Sequence, residues 1–180
     1  MNSEWHDWRG SGRSEDRLEK LNWQQWFLNQ WQLTAPVPMP AEEVLAMRHF
    51  RERLHALTVK LAGGGKMEEA DWQVLNKHLA QDLVTRRLSG EPGDIRLQYV
   101  PVTEDWRHVR AEIAASFGET LLHGETSRIR LCDNPDCRWF FYDDTRNRTK
   151  KYCEDKTCGN LMKVRRFRAR KKAGTDPGEQ

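Results

Sequence analysis

Apolar positions recur at helical intervals through most of the chain. Trp23, Trp26, Phe27 and Trp31 lie three to four residues apart, which predicts a helix from Asn22, its expected cap, to about Gln32. Thr34 to Pro40 holds three prolines and reads as a stiff connector. Val44, Met47, Phe50, Leu54, Leu57 and Leu61 then mark a long helix over 41–62, ended by Gly63-Gly64-Gly65. A third helix is expected over Met67 to about Ala80, with Trp72, Leu75 and Leu79 inward. A fourth is expected over about Asp105 to His123, with the stripe Trp106, Val109, Ile113, Phe117 and Leu121. Between these two the pattern changes, and 83–88 and 95–102 read as strands around the turn at Gly90-Glu91-Pro92-Gly93. Residues 1–20 are polar and carry no clear element. The fold class is mainly α with a small β-hairpin, and the apolar stripes read as core rather than as a cofactor box.

The last quarter is different. All four cysteines of the 180-residue chain fall in the arrangement Cys132-x4-Cys137-x15-Cys153-x4-Cys158. Such short gaps let both sulfurs of a pair reach one ion, and two pairs supply the four thiolates that tetrahedral zinc takes. The first pair brackets Asp133-Asn134-Pro135-Asp136, which suits a tight knuckle. Trp139 to Tyr142 reads as a short strand, and Cys158 is expected to open the last helix with Gly159-Asn160 behind it. The module has about 45 residues and few aliphatic groups, so one structural Zn2+ is expected to be needed for it to fold. Four cysteines close the shell against catalysis. His123-Gly124-Glu125 matches half of the zinc-deaminase signature, but the P-C-x-x-C half is missing. The competing reading, cysteines free in a core or joined as disulfides, suits the cluster and a reducing cytoplasm less well.

Charge separates along the chain. Residues 128–172 carry 15 Lys or Arg against 6 Asp or Glu, a net +9, while the rest carries −6, for the formal total of +3. Four thiolates with one Zn2+ lower the module to about +7. From Cys158 the chain reads CGNLMKVRRFRARKK, with Leu161, Val164 and Phe167 expected to pack on the zinc module and Lys163, Arg166 and Arg170 on another side. Arg165, Arg168, Lys171 and Lys172 broaden the basic surface, and Arg146, Arg148, Lys150 and Lys151 add to it from the preceding loop. A rigid module presenting such a run fits phosphate contact, with DNA the first expected partner. A solvated basic face is the plain alternative. RNA bound on Trp139, Phe140 and Phe141, or an acidic protein surface, are the other partners considered. No nucleophile-and-base arrangement or phosphate loop points to an enzyme. The chain has 37% hydrophobic residues and no stretch of the roughly 20 apolar residues that span a bilayer, so a cytoplasmic protein without a membrane partner is expected.

These residues resemble the CGNR zinc-finger family. The resemblance rests on Cys132-x4-Cys137, Trp139-Phe140-Phe141, the Asp144-Thr145-Arg146-Asn147-Arg148 turn, Tyr152-Cys153, Cys158-Gly159-Asn160 and Lys163 to Arg168. The upstream part is similar to the helical ABATE-type domain that accompanies such fingers, through Trp31, the Phe50–Leu57 helix and Leu75-Asn76. The resemblance implies a bacterial transcription regulator with a DNA-binding, treble-clef-like finger over 127–172 and an N-terminal domain over 1–126 that senses an effector or forms a homodimer; the Gly/Pro/charged composition of 173–180 reads as a disordered tail. Two departures stand out. Leu161 replaces the family's Arg after Gly-Asn, so Lys163 or Arg165 is expected to take that Arg's role. The family's apolar stretch before the Asn that Asn2 resembles is absent, and a truncated start is one expectation. The loop Trp5, His6, Asp7, Arg9 and Arg13 combines aromatic, acidic and basic groups and is the expected effector contact, against the reading of an ordinary surface loop.

Overall fold

The computed structural model describes residues 2–174. Five helices, α1 (Leu21–Trp31), α2 (Ala41–Ala62), α3 (Glu69–Leu79), α4 (Trp106–His123) and α5 (Asn160–Ala173), dominate it. Three antiparallel strand pairs complete it: β1 (Glu4–His6) with β2 (Ser14–Asp16), β3 (Val84–Glu91) with β4 (Asp94–Pro101), and β5 (Ile129–Leu131) with β6 (Phe140–Tyr142). The mainly helical class with small hairpins is as the periodicity predicts.

Helix α2 is the spine. Its stripe of Phe50, Leu54, Leu57 and Leu61 packs with Leu75 of α3, with Ala114 and Phe117 of α4, and with Ile129 of β5. Its N-terminal half, through Val44 and Met47, packs with Leu18, Leu28, Met39, Trp106 and Val109. The ends are built as the chemistry asks. Asp105 caps α4, accepting from the N–H groups of Arg107 and His108 at 2.8 and 3.1 Å. Glu68 and Asp71 form a capping box at the start of α3.

Several expectations are corrected. The polar first 20 residues form β1, β2 and a 3-10 turn at Arg17–Glu19, because Asp16 accepts from the Leu18 N–H and from two arginines of α2. Asn22 does not cap α1; its Oδ1 accepts only from the next residue, Trp23. The buried face of α1 is Gln24 and Leu28, while Trp26 and Trp31 are 56% and 63% exposed. Gln24 is buried because it is fully used: its Nε2 donates to Leu18 O at 2.6 Å and its Oε1 accepts from Met39 N at 2.9 Å. In α3 only Leu75 is buried, with Trp72 and Leu79 outward. The last helix is preceded by a π turn, Asp155–Gly159, so Cys158 lies in that turn rather than at the helix start. Val164 and Phe167 of α5 are exposed instead of packing on the module. Ala173 ends α5, and residues 175–180 of the expected tail lie outside the described residues.

The β3–β4 hairpin is amphipathic. Leu88 faces Leu97 in the register, with Tyr99 and Ile95 on the same side, and all four are more than half exposed. Gly90 makes the turn possible: at φ +118, a Cβ there would sit 2.0 Å from Asp94 O.

Asp16 ties the first hairpin to α2, paired with Arg51 at 2.8 Å and Arg48 at 2.8 Å. Burial pushes its carboxyl up, but the hydrogen bonds from Arg51, Arg48 and Leu18 N overcome this and hold it at about 2. The folded value lies below the unfolded one, so the stabilisation is present above about pH 4 and is lost as pH falls from there toward 2. Asp16→Asn is expected to lower stability at pH 7 by about 1 kcal/mol, allowing for solvent screening, and to flatten the fall between pH 4 and 2. Urea titrations across that range check both; an unchanged acid limb counts against the assignment.

Candidate metal centre and nucleic-acid interface

The knuckle between the first two cysteines is shaped by its own backbone. Cys137 N donates to Asn134 O at 3.0 Å, and Asp136 N donates to the Asn134 side chain at 3.3 Å. The second pair comes from the segment after β6, where Lys151 O accepts from Asp133 N at 2.8 Å and so fixes Tyr152-Cys153 beside the knuckle. The π turn then carries Cys158 inward, leaving it 1% exposed.

All four sulfurs lie within 4.8 Å of one another, with Cys137 to Cys153 at 3.6 Å and Cys153 to Cys158 at 3.9 Å. A tetrahedron with Zn–S bonds of about 2.3 Å has edges of about 3.8 Å, so the sulfurs are spaced for one zinc ion. The thiols also behave as a set. Hydrogen bonds from Cys137 and Cys153 pull the Cys132 thiol down to about 2, and that thiolate pushes Cys137 up and Cys153 up to about 12. A dication among them removes this mutual opposition. Cys132, Cys137, Cys153 and Cys158 hold one structural Zn2+, whose role is to fix the fold of this quarter.

Two residues essential to this geometry escape the sequence reading. Asn134 is fully buried, and its Nδ2 donates to Cys158 Sγ at 3.3 Å and to Trp8 O at 2.8 Å. Asp143 is also fully buried and organises the turn after β6, accepting from Thr145 N and Oγ1 and from Lys150 N. The Thr145 hydroxyl above all holds its carboxyl below the ordinary range. In the sequence both look like turn residues, and only burial reveals their role.

The first hairpin clasps the finger. Asn2 makes a strand-like pair with Phe140, donating to its O at 2.9 Å and accepting from its N at 3.1 Å. Trp8 packs against the cysteine cluster. Arg165 of α5 bridges, donating to Asp136 at 2.7 Å and to Arg9 O at 2.9 Å. Gly10, at φ +88, passes where a Cβ would meet Arg165 at 2.8 Å and Asp136 at 2.9 Å. The loop expected to contact an effector is thus engaged here. Asp7 is buried, and the Ser11 hydroxyl and Arg9 N–H hold its carboxyl below the ordinary range. Arg13 pairs with Asp7 at 3.6 Å, His6 lies 3.4 Å from Glu4, and Trp5 carries Arg17 over its ring. An aromatic cavity of about 330 Å3 lies elsewhere, between α1 and α2, with Trp23, Trp26, Trp31 and the finger's Trp139 in its wall.

The basic residues are not equivalent. Arg165 is held as above, and Arg166 donates to Tyr152 Oη at 2.9 Å. Arg148 pairs with Glu125 at 2.5 Å, and Lys150 lies 3.7 Å from Asp144. Lys163, Arg168, Arg170, Arg146 and Lys151 are exposed, and their side chains have no partner among the described residues. Lys171 and Lys172 are exposed at the end of α5. Lys163, Arg166 and Arg170 line one shallow groove along that helix.

Asn134→Ala is expected to weaken zinc binding about 10- to 100-fold while sparing the four ligands, because it removes the N–H that fixes Cys158. Competition against a colorimetric chelator measures it; wild-type affinity in the variant argues against this role.

Comparison with known families agrees with this geometry. The CGNR zinc finger matches residues 128–171. The ABATE domain, described as a "putative stress-induced transcription regulator", matches residues 1–124. No curated protein matches the chain. No helix among the described residues is long and apolar enough to cross a membrane. With its four sulfurs placed for one zinc and the ABATE match covering more than half its length, the chain belongs to the ABATE family and carries a CGNR zinc finger.

Proposed function

We propose that the protein binds double-stranded DNA through the zinc-stabilised face of α5 and regulates transcription there. The carrying observation is the face itself. Lys163, Arg166 and Arg170 share one side of a 14-residue helix, whose base is locked to the metal centre by Arg165. A helix of this length spans about 21 Å, enough to lie in a major groove while neighbouring Lys and Arg meet phosphates. Arg146 and Lys151 extend the basic surface from the loops. With Leu161 in place of the family's Arg and Arg165 committed to Asp136, Lys163 is the residue proposed to stand in for it.

RNA is the less favoured partner. Phe140 is buried, and Trp139 and Phe141 are half-buried, with Lys150 over the Phe141 ring, so the aromatics nearest the knuckle are poor stacking platforms. The matched families are regulatory rather than enzymatic. The helical domain is read as the regulatory part, acting on the finger through the hairpin clasp.

Zinc-loaded protein mixed with fragments of its own genome at physiological salt is expected to enrich a few sites, and a chelator is expected to abolish the enrichment. Lys163→Gln with Arg170→Gln is expected to weaken binding and lower the salt slope by about 1 per lost contact. Equal recovery of all fragments, or preference for single-stranded RNA, defeats the proposal.

Homodimerisation is proposed for the β3–β4 hairpin. Leu88, Ile95, Leu97 and Tyr99, each more than half exposed, make one contiguous apolar face, and two copies placed face to face cover both. Sedimentation is expected to find a dimer that Leu88→Lys with Leu97→Lys converts to monomer. A monomeric wild type at tens of micromolar rules this out.

A further inference from the structure

A second basic site lies in the helical domain, away from the finger. α2 and α3 flank a half-open cleft of about 420 Å3, with Arg110 of α4 in its wall. Helix α2 contributes His49 and Arg53, one turn apart. Helix α3 contributes Lys77 and His78. No carboxylate lines the cleft. Glu43 is committed to Arg110, Asp82 to His108 at 3.0 Å, and Asp71, which feels the charge of Arg53, to Lys60 at 2.7 Å.

Three features set this cleft apart from a solvated basic face. Arg110 has a side chain only 6% exposed, and its Nε has no hydrogen-bond partner among the described residues although Glu43 takes its Nη1. An unpartnered guanidinium N–H in a buried position is costly and is the kind of group a bound acceptor satisfies. His78 Nδ1 is likewise buried without a partner, its ring lying 4.1 Å from that of Phe50. Arg53 and Lys77 are exposed at the rim and make no ion pair with any described residue. Burial, then the charges of Arg110 and Lys77, hold the His78 imidazole below its ordinary range, in keeping with a positive potential inside the cleft. Phe50, Val74 and Ala46 supply an apolar wall.

We infer that the α2–α3 cleft binds a small phosphorylated molecule carrying at least two negative charges, with Arg53 and Lys77 meeting it at the rim and Arg110 and His78 at the base. Arg and Lys in this arrangement suit phosphate oxygens, and the ring of His78 on Phe50 offers a flat surface to the remainder of the ligand. The site deepens the regulatory reading of the helical domain but does not depend on the finger binding DNA.

The test uses the full zinc-loaded chain and pyrophosphate, with inorganic phosphate in parallel, at about physiological ionic strength. Calorimetry is expected to show one site that binds pyrophosphate more tightly than phosphate, and the imidazole NMR signals of His78 and His49 are expected to shift on titration. Arg53→Ala with Lys77→Ala, both at exposed positions that leave the core intact, is expected to weaken binding about tenfold or more. Lys163→Gln with Arg170→Gln is expected to leave it unchanged. Absence of binding overturns the inference. So does binding that ignores the Arg53 and Lys77 changes, or that is lost with Lys163 and Arg170, since the anion then sits on the finger. DNA binding is measured separately on the same variants, so failure of one site is distinguishable from failure of the other.

Discussion

Four sulfurs held within 4.8 Å of each other form an arrangement that a small module cannot stabilise by packing alone. The Cys132 thiolate opposes the ionisation of Cys137 and Cys153, and the surrounding segment has little aliphatic material to bury. A single dication reverses the sign of that interaction and turns the cluster into the anchor of the C-terminal quarter. The knuckle, the β5–β6 pair and the π turn are all shaped to deliver thiolates to it. Asn134 completes the arrangement by binding both Cys158 and the backbone of Trp8, so the metal centre reaches into the N-terminal hairpin.

The finger is consequently not a free appendage. Ile129 of β5 lies in the same core as Phe50 and Leu57 of α2, and His55 of α2 meets the ring of Phe140 edge-on at 4.8 Å. Asn2, Trp8 and Arg9 grip the module from the other side. A change at α2 has direct mechanical access to β6 and, through Arg165, to the base of α5. This shared packing, with Asp16, Arg48 and Arg51 holding the hairpin to the spine, joins the helical domain mechanically to the finger.

Charge is used in two ways. On α5, Lys163, Arg166 and Arg170 line an open groove, a surface suited to a large polyanion. In the helical domain, His49, Arg53, Lys77, His78 and Arg110 converge on a half-open cleft. The formal charge of +3 conceals both, since acidic residues elsewhere in the chain balance them.

Periodicity located α2, α4 and the β3–β4 hairpin because each follows one strong repeat of apolar residues, and the cysteine spacing identified the metal because ligand geometry is local to two short segments. The basic character of α5 was legible as composition. The first hairpin was not, because it is polar and is held by Asp16 pairing with arginines more than 30 residues away. Nor was the outward placement of Trp26, Trp31, Val164 and Phe167, since hydropathy does not say which face finds a partner. Sequence alone determined the elements whose cause is local: helical stripes, turns and the zinc ligands. Tertiary structure decided which arginines are bound and which are open, why Asn134 and Asp143 are buried, and that basic side chains from three helices meet in one cleft. Those outcomes depend on partners distant along the chain, and packing alone brings them together.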